Sequence, residues 1–232
     1  MPGKKGTLFI VSTPIGNLAD ITFRAVKTLK TVSFIAAEDT RRTRKLLNHF
    51  DIKTKLISYY EHNRFARIPQ LLKHLESGKD VAVVTDAGTP GVSDPAYKLI
   101  RSVIQVDVKV EPIPGPSAFL TALVASGLPT DRFLFVGFLP PKKGRRKKLS
   151  DLASYEATLI FYENPKRVVK TLSDIATFLG NRPAVVGREL TKVHEEIIRG
   201  TISELLSYFS RESPRGECVI MIGKDDPNVY FG

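Results

Sequence analysis

The sequence predicts an α/β protein built of two α/β domains, and three observations lead there. Short, nearly continuous apolar runs recur with helical patterns between them. A segment dense in proline and glycine divides the chain near its midpoint. Two glycine- and proline-rich loops follow apolar runs of the first half. A strand covered on both faces reads as an unbroken apolar run, and strand, helix, strand in series builds an open, mainly parallel sheet.

In the first half the strands are LFIVS (Leu8 to Ser12), SFIAA (Ser33 to Ala37), KLISY (Lys55 to Tyr59), VAVVT (Val81 to Thr85) and VKVEPI (Val108 to Ile113). Asp20 is expected to cap a helix carrying Phe23, Val26 and Leu29, and Thr40 one carrying Leu46, Leu47 and Phe50. Asp94 followed by Pro95 is a cap-then-proline start for another. The seam is PIPGPS (Pro112 to Ser117), which places an N-terminal domain at 1–114 and a C-terminal one at 115–232. The second domain is read as a mixed sheet. RFLFVGFL, ATLIFYE, PAVVGREL and GECVIMIG are its main strands, EEIIRGT is a further candidate, and SAFLTALVAS, PKRVVKTLSDIATFL and TISELLSYF are helical.

With 232 residues, 42% apolar and 25% charged, the chain can bury a sizeable core. No apolar run approaches the roughly 20 residues a membrane span needs, and MPGKKGTLFIVST lacks a signal peptide's cleavage site, so a cytoplasmic protein without membrane attachment is expected. Cys218, the one cysteine, reads as a buried strand residue. The net charge of +11 suggests a polyanionic partner, because clustered cations gain free energy by releasing counterions from phosphates. The charge is clustered. Lys142, Lys143, Arg145, Arg146, Lys147 and Lys148 surround Gly144, and Arg41, Arg42, Arg44 and Lys45 form a second group. Six like charges in seven residues repel one another, so PPKKGRRKK is expected to be a mobile loop.

Ligands of open α/β sheets bind at the strands' carboxyl ends, which is where STPIGN (Ser12 to Asn17) and DAGTPGVSDP (Asp86 to Pro95) lie. Neither has the GK[ST] ending of a phosphate-cradling loop or a GxGxxG pattern, which disfavours a nucleoside triphosphate. Backbone carbonyls and a carboxylate such as Asp86 suit a ligand with adenine, ribose hydroxyls and a cation; the same loops also read as ordinary tight turns. The histidines at 49, 62, 74 and 194 are scattered without metal-ligand spacing, and Ser117 in GPSA is not a nucleophile elbow, so metal and serine-nucleophile chemistry are not expected.

TPIGNLADITFRA, AAEDTRRTRKLL, YYEHNR, VVTDAGTPGVSDPA, PIPGPSAFLTAL, FVGFLP, FYENPKRV and GRELTKVHEEIIRGT closely resemble, in that order, the bacterial small-subunit ribosomal RNA ribose-2′-O-methyltransferase I family, within the tetrapyrrole-methylase superfamily. The likeness runs from about Thr7 to Gly223. It implies a two-domain enzyme with a cofactor cleft between its halves. It also implies a homodimer that uses S-adenosyl-L-methionine to methylate a cytidine ribose in the decoding region of 16S rRNA in the 30S subunit. The cofactor residues it implies are Thr13, Pro14, Ile15, Gly16 and Asn17; Asp86, Ala87, Gly88, Thr89, Pro90, Val92 and Ser93; and Ser117, Ala118 and Tyr162. STPIGN stands where tetrapyrrole methylases generally carry a GxGPGD-like loop, which points to the RNA branch. Many ribosomal RNA members continue into a small helical C-terminal domain, whereas this chain ends at Gly232, so RNA contacts of such a domain are expected to be absent or replaced.

Methyl transfer from a sulfonium requires in-line alignment, and a nearby base helps a weakly nucleophilic hydroxyl. Candidates at predicted strand ends are Glu38, Asp39, Glu163, Glu189 and Lys192, with Arg41 beside them; each carboxylate also reads as a cap or ion-pair partner. Arg41, Arg42 and Arg167, with the Lys142 to Lys148 cluster, are the expected RNA contacts. Two other readings stay open: a methyltransferase acting on a tetrapyrrole precursor, and a non-catalytic RNA-binding protein.

Overall fold

The computed structural model describes residues 4–212 and 214–231. Met1 to Gly3 and Gly232, used above to read the two ends, lie outside the described residues. The chain divides into two compact units, Met1–Ser117 and Ala118–Gly232.

The first unit is a sheet of five parallel strands: β1 (Thr7–Val11), β2 (Phe34–Ala37), β3 (Lys55–Ser58), β4 (Val81–Val84) and β5 (Lys109–Ile113), in the order β3-β2-β4-β1-β5. Its helices are α1 (Phe23–Thr31), α2 (Thr40–His49), α3 (Arg64–Glu76) and α4 (Ala96–Gln105). The apolar runs follow from covering both faces. Ala25 and Leu29 of α1 and Leu47 of α2 pack on Val11, Ile35, Ala37 and Val84, while Leu71, Leu75, Leu99 and Val103 of α3 and α4 pack on Leu8, Ala36, Val81 and Val83. Alternate residues of one strand thus feed opposite clusters. Each such leucine, fully removed from water, contributes about 1.5–3 kcal/mol.

Two helix starts differ from expectation. Asp20 sits in a short 3-10 turn and Thr22 caps α1, its hydroxyl accepting from Ala25 N. Helix α2 is capped by Asp39, one residue before Thr40, because the Asp39 carboxylate reaches Arg41 N at 2.8 Å. Helix α4 begins at Ala96, and Asp94 satisfies its exposed start by accepting from Ala96 N.

The second unit is a mixed sheet of β6 (Phe133–Phe138), β7 (Thr158–Glu163), β8 (Pro183–Arg188), β9 (Glu196–Thr201) and β10 (Cys218–Ile222), in the order β6-β7-β10-β8-β9. Only β6 and β7 run parallel; the remaining pairs are antiparallel. One face carries α6 (Arg145–Leu152), α7 (Val168–Leu179) and α8 (Ile202–Arg211), with Leu149, Leu172, Ile175, Leu205 and Phe209 buried against Phe161, Val186 and Ile220. Helix α5 (Ala118–Ser126) packs on the other face, where a Cβ added at Gly187 would stand 3.8 Å from Ala122 Cβ.

Helix α6 corrects the sequence reading. The segment expected to be a mobile loop becomes helical from Arg145, with Gly144 at φ 82° before it. Charge repulsion is overcome because Arg145, Leu149 and Leu152 turn into the core while the other cations point outward.

Candidate active site

Strands β1 and β4 are neighbours, yet the chain leaves β1 towards β2 on one side and leaves β4 towards β5 on the other. The helices that follow them therefore lie on opposite faces, and the carboxyl ends of such a neighbouring pair are the usual ligand position in open α/β sheets. Here STPIGN and DAGTPGVSDP are joined. Thr13 and Gly88 exchange two backbone hydrogen bonds, at 2.9 and 3.0 Å. Thr13 Oγ1 donates to Thr85 O at 3.2 Å, and the hydroxyls of Ser12 and Thr89 lie 2.9 Å apart. Thr89 in turn donates to Pro116 O at 3.1 Å.

Two glycines make this pairing possible. Gly88 has φ 86°, a conformation that costs an L side chain about 1–2 kcal/mol. A Cβ at Gly115 would stand 2.9 Å from Ser12 Cβ, so only glycine lets the seam pass so close to β1. Of the cofactor residues implied by resemblance, Thr13, Ile15, Gly88 and Pro90 are buried; Pro14, Asp86, Thr89 and Val92 are half-buried; Gly16, Asn17, Ala87 and Ser93 are exposed. Ser93 takes a positive φ of 62°.

The end of β2 joins the same network. Glu38 Oε2 accepts from Thr85 Oγ1 at 2.7 Å and from Asp86 N at 3.4 Å. Asp86 Oδ1 accepts from Asp39 N at 3.0 Å, and Arg42 approaches Asp86 Oδ2 at 3.3 Å. Burial raises the Asp86 carboxyl above the ordinary carboxylate value. Asp39 is the opposite case: hydrogen bonds from the Arg41 side chain and backbone hold it at about 2. Arg41 is thereby occupied, although its side chain is 89% exposed. Ser12 and Thr85, which sequence reasoning passed over, connect these strand ends; a hydroxyl in an apolar run, as in VAVVT, is the signal that could have found them.

In the second unit, Tyr162 lies on β7, its hydroxyl accepting from Phe119 N at 3.3 Å, and burial raises its phenol above the usual value. Ala118 opens α5, and Ser117 ends the first unit. Glu163, at the end of β7, is buried and accepts from Thr171 Oγ1 at 2.6 Å and Asn164 N at 2.8 Å. Arg167 stands 3.5 Å from it. Glu189 and Lys192 are paired with each other at 2.8 Å, and Glu189 also accepts from Glu217 N at 3.0 Å. The hydrogen bond from Lys192 lowers the Glu189 carboxyl; burial opposes charge on Lys192, but its bonds to Glu189 and Glu217 outweigh that and raise it. Glu189 is thereby a weaker base than an ordinary carboxylate, and Lys192 stays protonated, so neither is placed to accept a proton.

Of the expected RNA contacts, Lys142, Lys143, Arg146, Lys147 and Lys148 are exposed, and Arg42 is 65% exposed. Arg145 is not available. It is 4% exposed, with Nε 2.7 Å from Asp174 Oδ2 and Nη2 donating to Thr171 Oγ1 at 2.8 Å. A guanidinium satisfied in the core cannot also reach a phosphate. Among the described residues no cluster of three His, Cys, Asp or Glu side chains is placed to hold a metal, and no helix is long and apolar enough to cross a membrane.

Residues 7–206 match the profile of the tetrapyrrole (corrin/porphyrin) methylases, and the chain belongs to that family. Within it, the chain is 52% identical over 224 residues to "Ribosomal RNA small subunit methyltransferase I" of Halalkalibacterium halodurans, a match covering 96% of this chain and 78% of that protein. It is 47% identical over 221 residues to the protein of the same name from Thermotoga maritima, covering 95% of this chain and all of that one. Solved structures share the fold at lower identity. A diphthine synthase superposes with a TM-score of 0.73 at 13% identity, covering 94% of this chain and 90% of that one. A uroporphyrin-III C-methyltransferase from Thermus thermophilus, complexed with S-adenosyl homocysteine, has a TM-score of 0.66 at 19% identity, covering 93% and 97%.

Proposed function

We propose that this protein transfers a methyl group from S-adenosyl-L-methionine to the ribose 2′-hydroxyl of a cytidine in the decoding region of 16S rRNA, acting on the 30S subunit as a cytoplasmic homodimer. The observation that carries this reading is the identity of about one half, over nearly the whole chain, to proteins named for methylating small-subunit ribosomal RNA. The near relatives and the exposed cations of the 142–148 segment favour RNA over an acidic macrocycle, for which that cluster has no use.

The paired loops fit an adenosyl ligand. They offer backbone donors and acceptors from residues 13–17 and 86–93, held against each other by the Thr13 and Gly88 bonds. The Asp86 carboxylate suits ribose hydroxyls or a cation. Bound there, S-adenosyl-L-methionine supplies a methyl group on a sulfonium, open to attack by a hydroxyl oxygen. The chain's share is mainly geometric, since alignment of reactants alone removes several kcal/mol of barrier.

A base must take the hydroxyl proton as the new bond forms. Asp39 and Glu189 hold protons more weakly than ordinary carboxylates, and Lys192 holds its proton more tightly than an ordinary amine. The role falls best to Glu38, which sits beside Asp86 and whose Oε1 has no hydrogen-bond partner among the described residues. Asp39, Arg41 and Arg42 then order the substrate side of that strand end.

The test is methyl transfer from radiolabelled S-adenosyl-L-methionine to 30S subunits of cells lacking this gene, with the product mapped as a 2′-O-methyl ribose. Labelling of a single cytidine is expected. Labelling of uroporphyrinogen in place of rRNA, or cofactor binding without transfer to either, overturns the reading.

A further inference from the structure

We propose that Arg145 is a positioning residue for the RNA substrate: its buried guanidinium clamps α6 onto α7 and so fixes the face from which Lys142, Lys143, Arg146 and Lys147 meet phosphates. The proposal rests on the ribosomal RNA reading above. Helix α6 has little reason to form by itself. At eight residues it is below the length at which isolated helices persist in water, and no side chain caps its start. Arg145, Arg146, Lys147 and Lys148 all fall in its first turn, where cations oppose the helix dipole.

What holds it is a chain of charge-assisted bonds. Arg145 bonds Asp174 and Thr171 of α7, and its Nη1 reaches Pro140 O at 3.3 Å. Thr171 passes its own proton donation on to the buried Glu163, which Asn164 N and Arg167 complete. The clamp thus links the carboxyl end of β7 to the start of α6. Leu149 and Leu152 supply the apolar half of the same contact. Only arginine, always charged and with donors in a planar fork, can satisfy Asp174 and Thr171 together.

Of the outward cations, Arg146 lies over the Phe178 ring at 5.9 Å, which leaves its N–H groups free for a phosphate. No carboxylate lies within ion-pairing distance of Lys142, Lys143, Arg146, Lys147 or Lys148 among the described residues. Lys166 and Lys170, at the start of α7, are exposed as well. Cations carried on a backbone that is already held in place bind a polyanion without that backbone first being ordered, which removes part of the cost of association. The structure therefore divides one basic run into a buried anchor and an exposed grip.

The experiment uses the full chain. Arg145→Met, Arg145→Lys and Thr171→Val are compared with wild type for KM and kcat on 30S subunits, for subunit affinity across KCl concentrations, and for S-adenosyl-L-methionine affinity by calorimetry. Arg145→Met should raise KM about tenfold and flatten the salt slope by about one to two, the equivalent of one or two phosphate contacts, while kcat and cofactor affinity hold. Arg145→Lys and Thr171→Val, which leave a charge or the guanidinium in place, should fall between and carry the test if Arg145→Met does not fold. A double-mutant cycle with Lys147→Gln separates positioning from general destabilisation. Lys147→Gln alone should flatten the slope by about one, and in the Arg145→Met background it should add little. Fully additive effects, or an unchanged KM and slope in all three clamp variants, overturn the proposal. A wild-type protein that neither binds nor methylates 30S subunits overturns the ribosomal RNA reading and this inference with it.

Discussion

Replacing Gly88 with alanine perturbs the loop pairing at one atom. Gly88 sits at φ 86°, so an L-alanine there carries a backbone cost of about 1–2 kcal/mol. Its Cβ would stand 3.5 Å from Ile15 Cγ2 and 3.7 Å from Pro116 O, which is ordinary contact, so no steric term is added. For a chain of this size that strain lowers the melting temperature by about 2–8 °C. Gly144→Ala is the matched control: its φ is 82°, nothing lies within 4 Å of the added Cβ, and it is remote in sequence from both loops. The two variants should lose similar stability by thermal melting. Only Gly88→Ala should lose S-adenosyl-L-methionine affinity by calorimetry, by about tenfold or more if one backbone contact to the cofactor is displaced. Equal and undiminished affinity in both would refute the assignment of the paired loops to the cofactor.

Other perturbations read other parts of the molecule. In Arg41→Ala, the Asp39 titration midpoint followed by carboxyl NMR should move from about 2 towards its ordinary value of 3.8. Because the folded value is depressed, the stability from this pair is present above pH 3.8 and is lost as pH falls towards 2; a midpoint that stays put would credit the backbone donors alone. Glu189→Gln should retain methylation within about twofold while lowering the melting temperature, since the side chain is engaged by Lys192 and Glu217 N; a collapse of kcat at unchanged stability would return Glu189 to the chemistry. Cys218 is buried and its thiol is pushed up to about 12, so it should resist Ellman's reagent at pH 8 until the protein is unfolded, and rapid labelling of the native protein would contradict its place in β10.

The elements of the fold were legible because they answer to local patterns. VAVVT reads as a doubly covered strand because it is short, unbroken and rich in β-branched valine, and β4 is buried at every position. The helix starts were less legible. Asp20 and Thr22, or Asp39 and Thr40, are equally good caps on paper, and only the path of the chain into α1 and α2 selects Thr22 and Asp39. Of the candidate bases, the sequence named five groups at strand ends and could not rank them. Ranking needed partners: Arg41 on Asp39, Lys192 on Glu189, Thr85 on Glu38.

By itself, then, the sequence determined the alternation of strand and helix, the two glycine- and proline-rich loops at strand ends and the excess of positive charge, because each is written in consecutive residues. Tertiary structure decided which charges are free to act. Arg145 and Arg146 are neighbours of the same type, and nothing local distinguishes them. The helical turn sends Arg145 inward to Asp174 and Thr171, 29 and 26 residues away, and leaves Arg146 exposed. Burying an arginine requires partners from a distant segment, here a half-buried Asp174 and a buried Thr171, and the free energy of that exchange depends on both segments together, which no reading of either alone can supply.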